Sequence, residues 1–343
     1  MIAAVATASP PHRVSQQQLK AFARRVFARD FSDLNDRLAV FDHAGVEERQ
    51  FACPLGWYEE PHSFPEKNEV YRRVARQLAA TAAGEALRRA GLSPGGITAL
   101  VFVSTTGIST PSLDCALIAA LDLPRDIARV PLWGLGCAGG AAGLARAAEL
   151  ARGRGGPVLL IAVELCSVTF TRSDRSKSNF VATALFGDGA AAAVIACDGD
   201  GPRVLASHSH LVDDSRDIMG WTLVDDGLQV IFAPSIPAIV REVLPKLVRD
   251  AAAAARVDPD SLEHMVLHPG GAKVLASCEE CLDLPRERLQ CAHEVLRNHG
   301  NMSSPTILFV LERFLKCTPM RGALGMAAAF GPGFSAEGVV FAW

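Results

Sequence analysis

The pentapeptide Leu121-Asp122-Leu123-Pro124-Arg125 returns as Leu282-Asp283-Leu284-Pro285-Arg286, and its surroundings return with it. Ahead of the first copy, the apolar run Val101-Phe102-Val103-Ser104 enters the turn Thr105-Thr106-Gly107. Ahead of the second, Met265-Val266-Leu267-His268 enters Pro269-Gly270-Gly271. After each copy a glycine turn opens a helical pattern, at Gly136-Cys137 and at Gly300-Asn301. Two copies of one unit packed on each other bring equivalent turns to one place. Cys137, His268 and Asn301 are therefore expected to meet at a seam between two halves, 1–200 and 201–343.

Continuous apolar runs lie at 97–104, 157–164, 190–196, 264–267 and 324–330, with helical patterns between them. A run apolar at every position is the mark of a strand covered on both faces. Such strands alternating with helices predict an α/β fold with helix-covered sheets. Residues 1–95 read as an opening strand followed by polar-faced helices. Ser15 is expected to cap a helix through Leu19, Phe22 and Phe27, residues 57–62 to form a loop, and Tyr71–Ala90 to form a long helix stopped by Gly91. A buried strand is expected to run into Gly134.

Composition narrows the functional classes. With 49% hydrophobic and 21% charged residues the chain is that of a globular enzyme, and a net charge of −3 gives no reason to expect nucleic acid. No apolar run approaches the roughly 20 residues of a membrane span, and the N-terminus lacks the basic stretch of a signal peptide. Nine cysteines without framework spacing suggest reduced thiols and a cytoplasmic protein. Cys278-Glu279-Glu280-Cys281 has C-x-x-C spacing but lies in a helical pattern, without a second pair or nearby histidines, and is read as packing.

Cys137 is the candidate nucleophile. A cysteine at a helix start feels the positive end of the helix dipole, which favours thiolate. A neighbouring histidine can hold it as thiolate–imidazolium, and His and Asn can both donate to one thioester carbonyl as negative charge develops there. A Cys-His-Asn set also serves papain-like proteases, where Asn orients His. Here Asn301 occupies the position equivalent to the nucleophile, which suits pointing at the substrate.

These residues resemble the type III polyketide synthases, the chalcone synthase-like enzymes, over nearly the whole chain. The Cys137 turn is similar to the family's nucleophile elbow, and Phe186-Gly187-Asp188-Gly189 to its Phe-Gly-Asp-Gly motif. His268-Pro269-Gly270-Gly271 and Gly300-Asn301-Met302-Ser303-Ser304 look like its His and Asn motifs, and Gly331-Pro332-Gly333-Phe334 like its C-terminal loop. The resemblance implies a thiolase-like, five-layered αβαβα fold of two similar halves, a homodimer, an acyl-CoA starter, a malonyl-CoA extender, and neither metal nor cofactor. It implies a Cys137–His268–Asn301 triad with Phe186 as a gate to the CoA tunnel. By analogy Thr106, Thr169, Gly220 and Ser303 line the cavity, and Arg49 is the candidate partner of a CoA phosphate. Val230 stands where plant relatives carry a second aromatic gate, Ala138 is small, and the 107–111 loop differs from the plant form. These departures suggest a roomier cavity. They place the chain closer to bacterial alkylresorcinol and alkylpyrone synthases, notably around 176–184, with a medium or long fatty acyl starter. The alternatives are a ketoacyl-ACP synthase III-like enzyme making one extension, and a catalytically dead scaffold of this fold, against which the intact triad speaks.

Overall fold

A computed structural model describes residues 1–317 and 321–343. In chain order come β1 (Ile2–Ala8), β2 (His12–Ser15), α1 (Gln16–Val26), α2 (Leu34–His43), β3 (Glu48–Phe51), α3 (Phe64–Ala90), β4 (Ala99–Val103), α4 (Leu113–Ala120), β5 (Ala128–Leu132), α5 (Gly139–Arg154), β6 (Val158–Leu165), α6 (Lys177–Leu185) and β7 (Asp188–Ile195). They are followed by β8 (Arg203–Leu211), β9 (Met219–Val224), β10 (Gly227–Phe232), α7 (Ile236–Ala255), β11 (His264–Leu267), α8 (Ala272–Cys281), α9 (Gln290–His299), α10 (Thr306–Leu315), β12 (Leu324–Gly331) and β13 (Ser335–Ala342).

The repeat is a repeat of structure. One sheet has the order β1-β7-β6-β4-β5 and the other β8-β13-β12-β11. The shared strands keep the same senses: antiparallel, antiparallel, then parallel. Strand β5 extends the first sheet, parallel to β4, and has no counterpart in the second. The pentapeptide itself encodes a helix stop. After α4 and after α8 its Asp takes a left-handed conformation, with φ of 55° at Asp122 and 48° at Asp283. The following Leu N–H bonds back into the last helical turn, Leu123 to Ile118 O and Leu284 to Glu279 O. This is the Schellman pattern, with Asp standing in for glycine.

The continuous apolar runs are explained by five layers. In β4, Ala99, Val101 and Val103 face the core between the sheets, while Leu100 and Phe102 face α3 and α4. Strands β6 and β7 divide the same way. Helices α5 and α10 fill the space between the sheets, and α7 packs on the outer side of the second with α8 against it. No helix among the described residues is long and apolar enough to cross a membrane.

Three local expectations need correction. The 1–95 region also holds a two-stranded antiparallel sheet, β2 paired with β3 across the intervening α1 and α2. Helix α3 begins at Phe64, because Ser63 and Glu66 form a capping box around Pro65. The strand leading to Gly134 is a half-exposed sheet edge, with Trp133 61% exposed beyond its end. Ser15 does cap α1, by a capping box with Gln18, and Gly91 does stop α3 in the left-handed conformation.

Candidate active site

The equivalent turns meet. Cys137 sits on a single tight turn, Gly136–Ala138, that runs directly into α5. Its Sγ lies 3.7 Å from Asn301 Oδ1 and 3.8 Å from Asn301 Nδ2. Ser303 N–H donates to Asn301 Oδ1 at 2.8 Å, and Asn301 Nδ2 donates to Gly270 O at 3.2 Å, so the amide orientation is fixed and the thiol faces an acceptor. His268 follows β11, and its backbone N–H donates to Ala328 O at 2.9 Å. Its ring is buried, and neither ring nitrogen has a hydrogen-bond partner among the described residues. All three side chains line one cavity of about 790 Å³. Val181, Leu185, Met219, Phe232 and Val240 make its walls apolar, and the exposed Asp33, His43, Lys177 and Lys273 mark its outer end.

Burial sets the electrostatics. It pushes the Cys137 thiol up to about 11, against the opposing pull of hydrogen bonds from Ser303 and Asn301. It pushes the His268 imidazole down to about 3. Burial thus opposes the thiolate that the helix start favours at Cys137, and opposes the charged form of His268. Behind Cys137, Glu164 is fully buried and accepts from Thr105 N–H, Thr106 N–H, Thr106 Oγ1 and Ser304 Oγ at 2.8–2.9 Å. Burial raises its carboxyl to about 7.

Phe186 is tied to Asn301 through the backbone. Gly187 N–H donates to Asn301 O at 3.0 Å and Asn301 N–H to Leu185 O at 2.8 Å, forming a short parallel bridge. The approach is so close that a Cβ on Gly187 would lie 2.2 Å from His299 O. A Cβ on Gly300, at φ +67°, would lie 2.5 Å from Leu185 O. The Phe186 ring packs 5.9 Å from Trp221 and 5.5 Å from Phe232.

Several expected cavity residues lie elsewhere. Val230 and Thr169 line a separate side cavity of about 30 Å³, walled by Phe186, Cys166 and Trp221. That is space for a water or two and not for an acyl chain, so the absence of an aromatic at Val230 does not by itself enlarge the main cavity. Thr106 is buried in the hydrogen bonds to Glu164 and Leu165 N–H. Gly220 pairs with Ile231 in the β9–β10 hairpin and lines neither cavity. Ser303 is buried beside Asn301, to whose Oδ1 its backbone N–H donates, and is not among the residues lining either cavity. Arg49 cannot meet a CoA phosphate: it is fully buried and donates to Thr183 O, Phe186 O and the Gln16 side chain. Burial without a carboxylate partner lowers it to about 9. Cys278 is buried within α8 and Cys281 bonds back to Cys278 O, and among the described residues no cluster of His, Cys, Asp and Glu is placed to hold a metal.

Two residues went unnoticed in the sequence. Trp221 packs on the Phe186 ring and lines the side cavity with it. Glu164 was detectable as the one carboxylate inside the apolar run 158–165.

Residues 1–199 match the family model described as chalcone and stilbene synthases, N-terminal domain, and residues 203–342 its C-terminal counterpart. A putative chalcone synthase of Bacillus subtilis is 37% identical, over all of this chain and 98% of its own length. The 1,3,6,8-tetrahydroxynaphthalene synthase of Streptomyces peucetius is 39% identical, over all of this chain and 93% of its own. Among solved structures, the 1,3,6,8-tetrahydroxynaphthalene synthase of Streptomyces coelicolor superposes with a TM-score of 0.95 at 27% identity, over 100% of this chain and 99% of that one.

Proposed function

The chain belongs to the chalcone and stilbene synthase family, the type III polyketide synthases, and on that premise we propose how its residues carry out the acyl transfer and what starter it takes. Cys137 attacks the thioester carbon of an acyl-CoA, its thiol proton passes to His268, and CoA leaves with that proton. Malonyl-CoA then loses CO₂. His268 and Asn301 Nδ2 donate to the carbonyl oxygen of the resulting enolate, whose carbon attacks the Cys137 thioester and releases the cysteine. Transfer of the lengthened chain back to Cys137 allows further rounds, and cyclisation gives an alkylpyrone or alkylresorcinol. The observation that carries this reading is that Cys137, Asn301 and the unpartnered His268 imidazole share the wall of one 790 Å³ cavity. A buried polar ring without a partner is suited to meet a substrate carbonyl. With Arg49 buried, the CoA phosphates are assigned to Lys177 and Lys273, since Arg37 is already paired with Asp33 at 2.8 Å.

The apolar walls of the main cavity support a medium or long fatty acyl starter. A second reading, a compact starter such as malonyl-CoA itself, is favoured by the small side cavity behind Phe186 and by the similarity to tetrahydroxynaphthalene synthases. Incubation with malonyl-CoA alone and with a panel of acyl-CoAs, read by mass spectrometry, separates them. Fatty acyl products in preference to a product from malonyl-CoA alone support the first reading; the reverse supports the second. The same spectra count malonyl units, and a single unit per product would mean a ketoacyl-ACP synthase III-like enzyme instead. A homodimer is proposed through β5, an unpaired sheet edge followed by the exposed Trp133. Light scattering at monomer mass would remove it.

A further inference from the structure

Strand β3 caps both helices that deliver Phe186 and Asn301 to their contact. The last carbonyls of a helix need partners from outside it. At the end of α6, Ala182 O accepts from Phe186 N–H at 2.8 Å, and Leu185 O from Asn301 N–H at 2.8 Å. Arg49 Nη1 donates to Thr183 O and to Phe186 O, each at 3.3 Å. Gln16 Nε2, whose Oε1 accepts from Arg49 Nη2, donates to Ala184 O at 3.2 Å. At the end of α9, Leu296 O accepts from Gly300 N–H at 2.9 Å and Arg297 O from Glu47 N–H at 2.7 Å. Gln50 Nε2 donates to Asn298 O at 3.2 Å, and His299 Nδ1 donates to Gln50 Oε1 at 2.7 Å. Successive residues of a strand point to opposite sides, so Arg49 serves the end of α6 and its neighbour Gln50 the end of α9. Both side chains are buried, and the guanidinium has no carboxylate partner. Well-packed apolar residues are often no less stabilising at such places. What the polar pair supplies beyond stability is a fixed angle between two helix ends.

We propose that Gln50 and Arg49 are positioning residues for condensation: together they clamp α9 and α6 so that the Phe186–Asn301 bridge holds the Asn301 amide on Cys137. This rests on the role given to Asn301 above. The test is a double-mutant cycle of Gln50→Leu and Asn301→Ala, read by the steady-state rate of malonyl-CoA decarboxylation. A misplacement near 1 Å costs up to about a hundredfold, so Gln50→Leu should lower kcat about tenfold to a hundredfold while KM for malonyl-CoA holds. In the Asn301→Ala background the same change should add little, because the group it aims is gone. An equal loss in both backgrounds, or wild-type kcat in Gln50→Leu, overturns the clamp while leaving the role of Asn301 standing. Undiminished decarboxylation in Asn301→Ala overturns both. If Gln50→Leu does not accumulate as folded protein, Gln50→Glu goes through the same cycle: it keeps the acceptor for His299 and loses only the donor to Asn298 O. The same non-additivity is expected, and additive losses overturn the clamp.

Discussion

Trp221→Ala tests the starter assignment most directly. The indole packs 5.9 Å from the Phe186 ring, and both rings line the side cavity of about 30 Å³. Removing it should enlarge that cavity and make room for about three methylenes of an acyl chain. At about 0.8 kcal/mol per buried methylene this favours the longer chain by roughly 2.4 kcal/mol, or about fiftyfold in relative kcat/KM at 1.4 kcal/mol per tenfold. Trp221 is only half-buried, so the stability cost should fall below the 3–5 kcal/mol of a fully buried Trp→Ala change. The assay is CoA release with malonyl-CoA and a series of starters from hexanoyl- to palmitoyl-CoA. The optimum should move toward longer chains in the variant. A folded variant whose chain-length optimum is unmoved would show that the acyl chain never enters the side cavity. A wild type that works from malonyl-CoA alone, with a variant that newly accepts fatty acyl-CoA, would support the compact starter and identify Trp221 as the wall that enforces it.

Val230→Phe overfills the side cavity; it should cost about 1–3 kcal/mol of stability and leave the chain-length profile of the folded variant unchanged, and a shift toward shorter chains would show that the acyl chain reaches Val230 after all. Asn301→Ala should cost about 10²–10³ in malonyl-CoA decarboxylation, roughly 3–4 kcal/mol, while single-turnover acylation of Cys137 survives; equal losses in both steps would make Asn301 structural. Cys137→Ala should form no acyl-protein with any starter, and a labelled adduct seen by mass spectrometry would refute the nucleophile. Glu164, raised from 4.5 to about 7 by burial, binds its proton more tightly folded than unfolded. The stability this contributes is present below pH 4.5 and lost as pH rises through about 7. Glu164→Gln keeps an acceptor for Thr105 and Thr106 and turns the Ser304 hydroxyl from donor to acceptor, without the titration, so its Tm relative to wild type should rise between pH 5 and pH 8; a flat difference would mean that Glu164 does not titrate there.

The sequence by itself determined the frame. Short runs apolar at every position, set between helical patterns, mark strands covered on both faces, and the pentapeptide is a local helix stop whose Asp conformation needs little from the rest of the chain. Because both signals are local, they were legible, and duplication then placed Cys137 opposite Asn301 without coordinates. The strands β2, β3, β8, β9, β10 and β13 were not legible, since none is an unbroken apolar run, and β5, expected as a buried strand, is a half-exposed sheet edge because it pairs on one side alone. Only tertiary structure decided how strongly burial opposes charge at the site. A helix start favours thiolate on paper, but the water lost at Cys137 and His268 depends on what closes over them, and that comes from elements across the whole chain. The same applies to Arg49. Its type suggested a phosphate partner at the surface, whereas its place, fully buried against the carbonyls at the end of α6, was set by a β2–β3 pairing the sequence did not announce. Cavity shape is the extreme case: whether Val230 faces an acyl chain or a 30 Å³ side pocket turns on where the Phe186 and Trp221 rings stand, and no run of adjacent residues encodes that.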